Sequence, residues 1–312
     1  MSGTKHGGYG LPADFRGFWN ACLEKQQQSP VSFTMTPNTF YSENIRLYEV
    51  IYQAMDGTPI HGWLLLPHFV GHPVPVVVRY PTYYGNRGFP VEGLHWIAMG
   101  LGYFTVDVRG QGGLSPDYAR YEGGSSAGWL TKGILDPHHY YYKYVYMDAV
   151  RALDVLSTLN VVNADRIIVT GRSQGAAIAL VVAALDPRPK IVLAVNTFLC
   201  NFDYIFRNSL HQEPYEEFTH WFLNLDPQHH KQERIMRTLS YFDVLYHMPY
   251  NHAASLFITS GQDKIAPSEA VISAFHQIRG EKEWVHFPDN GHAHMTVHEQ
   301  LKADFVSRYL TR

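Results

Sequence analysis

The sequence predicts an α/β protein built on a mostly parallel, eight-stranded sheet with helices on both faces. Three observations lead to it. Short apolar, β-branched runs alternate with helical patterns along the 312 residues. One of those runs passes directly into Gly171-Arg172-Ser173-Gln174-Gly175 and then into an alanine-rich helix. No low-complexity stretch, charge run or internal repeat divides the chain, so residues 1–312 read as one domain.

Taken in order, residues 1–40 form an N-terminal extension. The strands expected after it are Ile45 to Gln53, Ile60 to Leu66, Val74 to Tyr80 and Gly102 to Val108, then Arg166 to Thr170, Ile191 to Val195, Ser255 to Ser260 and Trp284 to Phe287. A short helix, Gly93 to Gly100, separates the third from the fourth. From His139 to Leu159 apolar residues recur at helical spacing behind Pro137, which makes this the crossover helix back into the sheet. Its tyrosines, Tyr140-Tyr141-Tyr142 with Tyr144 and Tyr146, could form a sugar platform, but core packing is the better reading. The helix Ala176 to Ala184 ends before Pro187. Asn201 to Met248, rich in aromatics and charges, reads as a helical, cap-like insertion (201–248) ahead of the next strand.

Composition excludes several classes. At 46% hydrophobic and 14% aromatic the chain can bury a large core, and a net charge of -3 with interspersed signs offers no basic stripe for nucleic acid and no polybasic membrane anchor. The start is polar and glycine-rich, without the apolar core of a signal peptide, and no later run is long and apolar enough to span a bilayer. A cytoplasmic protein is expected. Cys22 and Cys200 lie far apart, which suits reduced, packed thiols better than a disulfide framework.

Gly-x-Ser-x-Gly between a strand and a helix is the pattern of a nucleophile elbow. A serine hydroxyl is a weak nucleophile unless a sharp turn holds it clear of the backbone, within reach of a base, and the two glycines keep the turn free of crowding side chains. The acid and base should follow at the ends of later strands. Ser255 to Ser260 runs into Gly261-Gln262-Asp263, which nominates Asp263 as acid; without an elbow this aspartate would read as a turn or cap residue. Trp284 to Phe287 runs into Pro288-Asp289-Asn290-Gly291-His292, which nominates His292 as base. His294 and His298 compete, but His298 falls in the final helix, fixed to the helix surface. None of the histidine pairs has partners at metal-site spacing, so no metal and no cofactor are expected.

These residues resemble the acetyl xylan esterase and cephalosporin C deacetylase family of α/β-hydrolases, carbohydrate esterase family 7. The resemblance covers nearly the whole chain. It is carried by Phe15-Arg16-Gly17-Phe18-Trp19, Asn86-Arg87-Gly88-Phe89-Pro90, Asp107-Val108-Arg109-Gly110-Gln111-Gly112 and Thr131-Lys132-Gly133-Ile134-Leu135-Asp136-Pro137, then by the tyrosine run, the elbow, Phe198-Leu199-Cys200 and Arg237-Thr238-Leu239-Ser240-Tyr241-Phe242-Asp243.

The resemblance implies an α/β-hydrolase fold with Ser173 as nucleophile, Asp263 as acid and His292 as base. It further implies an oxyanion hole from the backbone N–H groups of Tyr83 and Gln174, with Arg109 and Gln111 bracing the loops. It implies removal of acetyl groups from small acetylated carbohydrates such as xylo-oligosaccharides, and from cephalosporin C, by an acyl-enzyme. Self-association into a homohexamer is also implied. Three positions depart from the family pattern: Arg172 replaces a common glycine, Ala293 a common glutamate, and Pro81-Thr82 a common histidine-glycine pair. These bear on pocket shape. A carboxylesterase or peptidase of other specificity, and a non-catalytic binding protein on the same fold, are the alternatives.

Overall fold

A computed structural model describes residues 10–39, 42–68, 71–121 and 127–310. Among the described residues nine strands form one sheet: β1 (Phe33–Asn38), β2 (Ile45–Gln53), β3 (Pro59–Pro67), β4 (Val74–Tyr80), β5 (Gly102–Val106), β6 (Val162–Arg172), β7 (Pro189–Val195), β8 (Ala254–Ser260) and β9 (Lys282–Phe287), in the order β1-β2-β3-β5-β4-β6-β7-β8-β9. The first three pairings are antiparallel and everything from β5 to β9 is parallel. The sheet thus has one strand more than the eight expected. The extra strand, β1, lies in the N-terminal extension at the sheet edge; its alternation is short, with Phe33 and Met35 partly buried against the core and no residue fully buried. Its Pro37 is tolerated because an edge strand has one side of its hydrogen-bonding ladder free.

The α-helices among the described residues are α1 (Phe15–Gln27), α2 (Leu94–Ala98), α3 (Tyr141–Ser157), α4 (Gln174–Leu185), α5 (Phe202–Asn208), α6 (Glu216–Leu225), α7 (Gln232–Ser240), α8 (Val244–His247), α9 (Ser268–Gln277) and α10 (Thr296–Leu310). Because side chains alternate across a strand, each central strand feeds two cores. Val76, Val78 and Tyr80 of β4, with Ile167 and Val169 of β6, pack against α3 and α4, whereas Val77 and Ile168 face α2 and α10 through Trp96, Phe305 and Val306. The helix α4 is buried all round, as its run of alanines, valines and leucines requires.

The tyrosine run resolves as core: Tyr140, Tyr141, Tyr142 and Tyr146 are fully buried. Likewise α1 is built into the main core through Phe15, Phe18 and Trp19, and the Trp19 indole donates to the Tyr241 carbonyl at 3.0 Å. The segment between β7 and β8 is helical, carrying α5 to α8. Among the described residues no helix is long and apolar enough to cross a membrane.

Candidate active site

Ser173 stands between the last residue of β6 and the first of α4, with φ 55° and ψ -119°. That backbone region is costly for a side-chain-bearing residue, on the order of 1–3 kcal/mol, and the surroundings must impose it. They do. The Ser173 N–H donates to the Val195 carbonyl at the end of β7 (2.9 Å), and its carbonyl accepts from Ala176, Ala177 and Phe198. Glycine is obligatory on either side: a Cβ on Gly171 would sit 2.1 Å from the Gly175 carbonyl carbon, and one on Gly175 would sit 2.0 Å from the Tyr80 carbonyl oxygen.

Asp263 lies three residues past the end of β8 and His292 five past the end of β9, and the two adjacent strands run in parallel register up to Ser260 and Phe287. The loops beyond are stitched together by Gly261 N–H to Phe287 O and Gln262 N–H to Asn290 O, both 2.9 Å. Asp263 Oδ1 accepts from the Ile265 and Ala266 amides at 2.9 and 2.8 Å, leaving Oδ2 for His292 Nδ1 at 2.6 Å. With Nδ1 donating to the carboxylate, Nε2 of a neutral imidazole is the acceptor. Arg172 Nη1 donates to the His292 carbonyl at 3.4 Å, so the elbow and the histidine loop are in contact.

Tyr83 follows β4, the neighbour of β6. Gly85 N–H closes a turn on the Thr82 carbonyl (2.9 Å), and Tyr84 takes φ 60° inside it. In such a turn the i+1 amide, that of Tyr83, has no part in the closing bond. The Gln174 N–H, the first of α4, has no intrahelical acceptor and sits at the positive end of the helix dipole, while those of Ala176 and Ala177 are taken by the Ser173 carbonyl.

The side chain of Gln174 ties these parts together. Its Nε2 donates to Thr82 O (3.3 Å) and Gln111 Oε1 (3.1 Å), while its Oε1 accepts from Tyr142 Oη (2.9 Å) and Gln111 Nε2 (3.0 Å). Gln111 Nε2 also reaches Tyr141 Oη (3.1 Å), which donates to the Arg109 carbonyl at 2.6 Å. Arg109, 1% exposed, forks between Asp148 (2.6 and 2.7 Å) and Asp56 (2.6 and 3.1 Å). The Arg109 side chain is thus spent on structure, whereas Gln111 braces the Gln174 side chain directly.

Glu217 of α6 was not legible as a site residue. Its Oε1 accepts from Tyr83 Oη at 2.5 Å and its Oε2 from the Leu130 amide at 2.8 Å. Burial raises its carboxyl to about 7, against the pull of those two donors. Tyr83 also stacks edge-on with Tyr84, Trp129 and Phe198. An acidic first turn, Glu216-Glu217, was the one signal in the sequence, and it reads equally well as dipole compensation.

His298 requires a correction. It lies in α10 as expected, yet is fully buried against Phe287 rather than held on the helix surface, and burial lowers its pKa to about 4. Among the described residues no group of three or more His, Cys, Asp or Glu side chains is placed to hold a metal ion.

The family model described as acetyl xylan esterase (AXE1) matches residues 4–309. The chain belongs to the acetyl xylan esterase family. Within that family, the acetyl xylan esterase from Paenibacillus sp. R4 is similar at 40% identity and TM-score 0.92, over 97% of this chain and 96% of that one. Acetyl xylan esterase 1 from a Thermoanaerobacterium species superposes with TM-score 0.92 at 26% identity, covering 96% and 95% of the two chains. The acetyl esterase Axe7A of Xylanibacter ruminicola is 26% identical over 292 residues, 90% of this chain; the chain spans 63% of that relative's length. Both acetyl xylan esterase structures share the α/β-hydrolase architecture found here.

Proposed function

We propose that the protein is a serine esterase that removes acetyl groups from small acetylated carbohydrates, acetylated xylo-oligosaccharides first among them. The observation that carries this reading is the strained Ser173 at the head of α4, in an elbow whose Arg172 contacts the loop of a His292–Asp263 pair bonded at 2.6 Å, in a chain of the acetyl xylan esterase family.

In this mechanism Ser173 Oγ attacks the acetyl carbonyl carbon while His292 Nε2 takes the hydroxyl proton, and Asp263 fixes the imidazole tautomer and stabilises the imidazolium. The carbonyl oxygen becomes an oxyanion that receives the Tyr83 and Gln174 amides, each worth about 10²–10³ in turnover in comparable sites. Collapse of the tetrahedral intermediate breaks the ester C–O bond, and His292 returns the proton to the departing sugar hydroxyl. Water, deprotonated by His292, then attacks the acetyl carbon; collapse breaks the Ser173 Oγ–C bond, the His292 imidazolium returns the proton to Oγ, and acetate leaves.

Cephalosporin C, another acetyl ester, is a second proposed substrate. Cap action of residues 201–248 is supported by the Glu217–Tyr83 bond, which joins the insertion to the oxyanion loop. Self-association, a homohexamer by family resemblance, is supported by large exposed apolar side chains on adjoining loops: Phe89, Val91, Leu114 and Tyr118. Light scattering on the eluting peak measures the oligomer size. A cytoplasmic location is supported by the two free thiols, Cys22 and Cys200.

The test is acetate release from acetylated xylo-oligosaccharides by wild type and Ser173→Ala at equal concentration. Release that depends on Ser173 supports the reading; a folded wild type that releases none defeats it.

A further inference from the structure

The reaction proposed above makes no use of the basic side chains on the opposite face of the sheet. Chain order makes that place notable. After β4 the chain crosses to β5 on one side, and after β5 it returns to β6 on the other, so the carboxyl ends of β4 and β6 flank the switch point where open α/β sheets leave a crevice. By the alternation of strand side chains, Arg79 of β4 and Thr170 and Arg172 of β6 point away from α4, towards α2 and α10. A cavity of about 400 Å³ opens there, with Arg79, Thr170, Arg172, His95 and Lys302 in its wall.

Its charges are unevenly matched. Arg79 pairs with Glu92 at 3.3 Å and Lys302, itself buried, with Glu299 at 2.9 Å. Arg172 forms no ion pair among the described residues, and its guanidinium makes one long hydrogen bond, the 3.4 Å contact with the His292 carbonyl. A half-buried fork of five N–H donors thus opens on the cavity with one protein hydrogen bond, and a second arginine faces the same space. His95 Nε2 faces Glu299 at 3.7 Å, so the carboxylates in the wall, Glu92 and Glu299, are taken by Arg79, Lys302 and His95. An arginine fork open to a cavity, with three cationic side chains against two carboxylates in its wall, is what an oxyanion can engage.

We infer that this cavity binds a small oxyanion, a carboxylate or a phosphate group, gripped by the Arg172 guanidinium with Arg79 and Lys302 supplying further positive charge. The planar fork of Arg172 matches the two oxygens of either group. The space exceeds one such group, so the oxyanion can carry a small organic body. The site is separate in principle from ester hydrolysis, yet the bound anion would touch the side chain that contacts the His292 loop.

Isothermal titration calorimetry with inorganic phosphate and, separately, with acetate tests this at constant ionic strength, on wild type, Ser173→Ala, Arg172→Gln and Arg172→Lys. Saturable binding of at least one ion is expected in wild type and equally in Ser173→Ala, which keeps the result independent of the esterase reading. Arg172→Gln is expected to weaken it about tenfold or more, with Arg172→Lys in between. Absence of saturable binding by both ions, or equal binding by Arg172→Gln, overturns the inference. Should the variants fold poorly, phenylglyoxal modification of the wild-type protein, mapped at Arg172, decides: protection by the bound ion supports the site, and an unchanged rate with both ions overturns it.

Discussion

The two faces of the sheet at the elbow solve opposite problems. On the α4 face, the amides of Gln111 and Gln174 and the hydroxyls of Tyr141 and Tyr142 satisfy one another in a closed network that also grips the Thr82 carbonyl. On the α2 face, Arg172 forms no ion pair among the described residues: its guanidinium makes one long hydrogen bond, to the His292 carbonyl, and feels the Asp263 carboxylate at longer range. The difference teaches what each face is for. A fully matched buried network holds one geometry, as a preorganised oxyanion hole needs, while an unmatched one carries binding capacity.

Four changes break or sharpen that contrast. The largest effect belongs to Asp263→Asn, which leaves the backbone amides of Ile265 and Ala266 an acceptor but favours the wrong imidazole tautomer. Turnover of acetyl esters should fall about 10⁴-fold with the fold intact by circular dichroism. Next comes Gln111→Leu, which strips partners from the Gln174 amide and Tyr141. Urea unfolding should show a loss of about 1–3 kcal/mol, accompanied by lower turnover, because a buried amide is left partly unpaired.

Glu217→Gln acts through pH. Its carboxyl lies near 7 in the fold against 4.5 when unfolded, so between those values the native state holds more protons than the unfolded chain. Stability should therefore fall as pH rises through that window, and the glutamine variant should lose this slope in denaturation measured across it. Smallest is Arg172→Gln in an anion-free buffer. Burial lowers the Arg172 pKa, Asp263 opposes it and Arg79 adds to it, so removing the charge should change stability by no more than about 0.5 kcal/mol. A large loss there would mean that the guanidinium is structurally matched after all, and the contrast between the faces would fail.

What was legible in the sequence follows from the range of the interactions. The elbow is a local device in which two glycines, a strand and a helix adjoin in the chain, and the acid and base positions follow from strands whose apolar runs are continuous. The edge strand β1 was missed because its alternation, Phe33-Thr34-Met35-Thr36, is short and runs into Pro37, and β6 proved longer than its apolar centre because Val162 pairs with Val74 ahead of an irregular stretch, 163–166, that is not buried. Glu217 meets Tyr83 across 134 positions and Gln111 meets Gln174 across 63. Such contacts are set by how an insertion or a loop docks on the finished sheet, and no local pattern encodes that. The burial of His298 is of the same kind: helical periodicity placed it in α10, but only packing against Phe287 turned it inward.

The most direct test of the central claim is labelling by a fluorophosphonate probe, followed by peptide mapping, on wild type, Ser173→Ala and His292→Ala. One adduct per chain is expected, on Ser173, absent in Ser173→Ala and formed far more slowly in His292→Ala. An adduct on another residue, or undiminished labelling without His292, would contradict the assignment of Ser173 and His292.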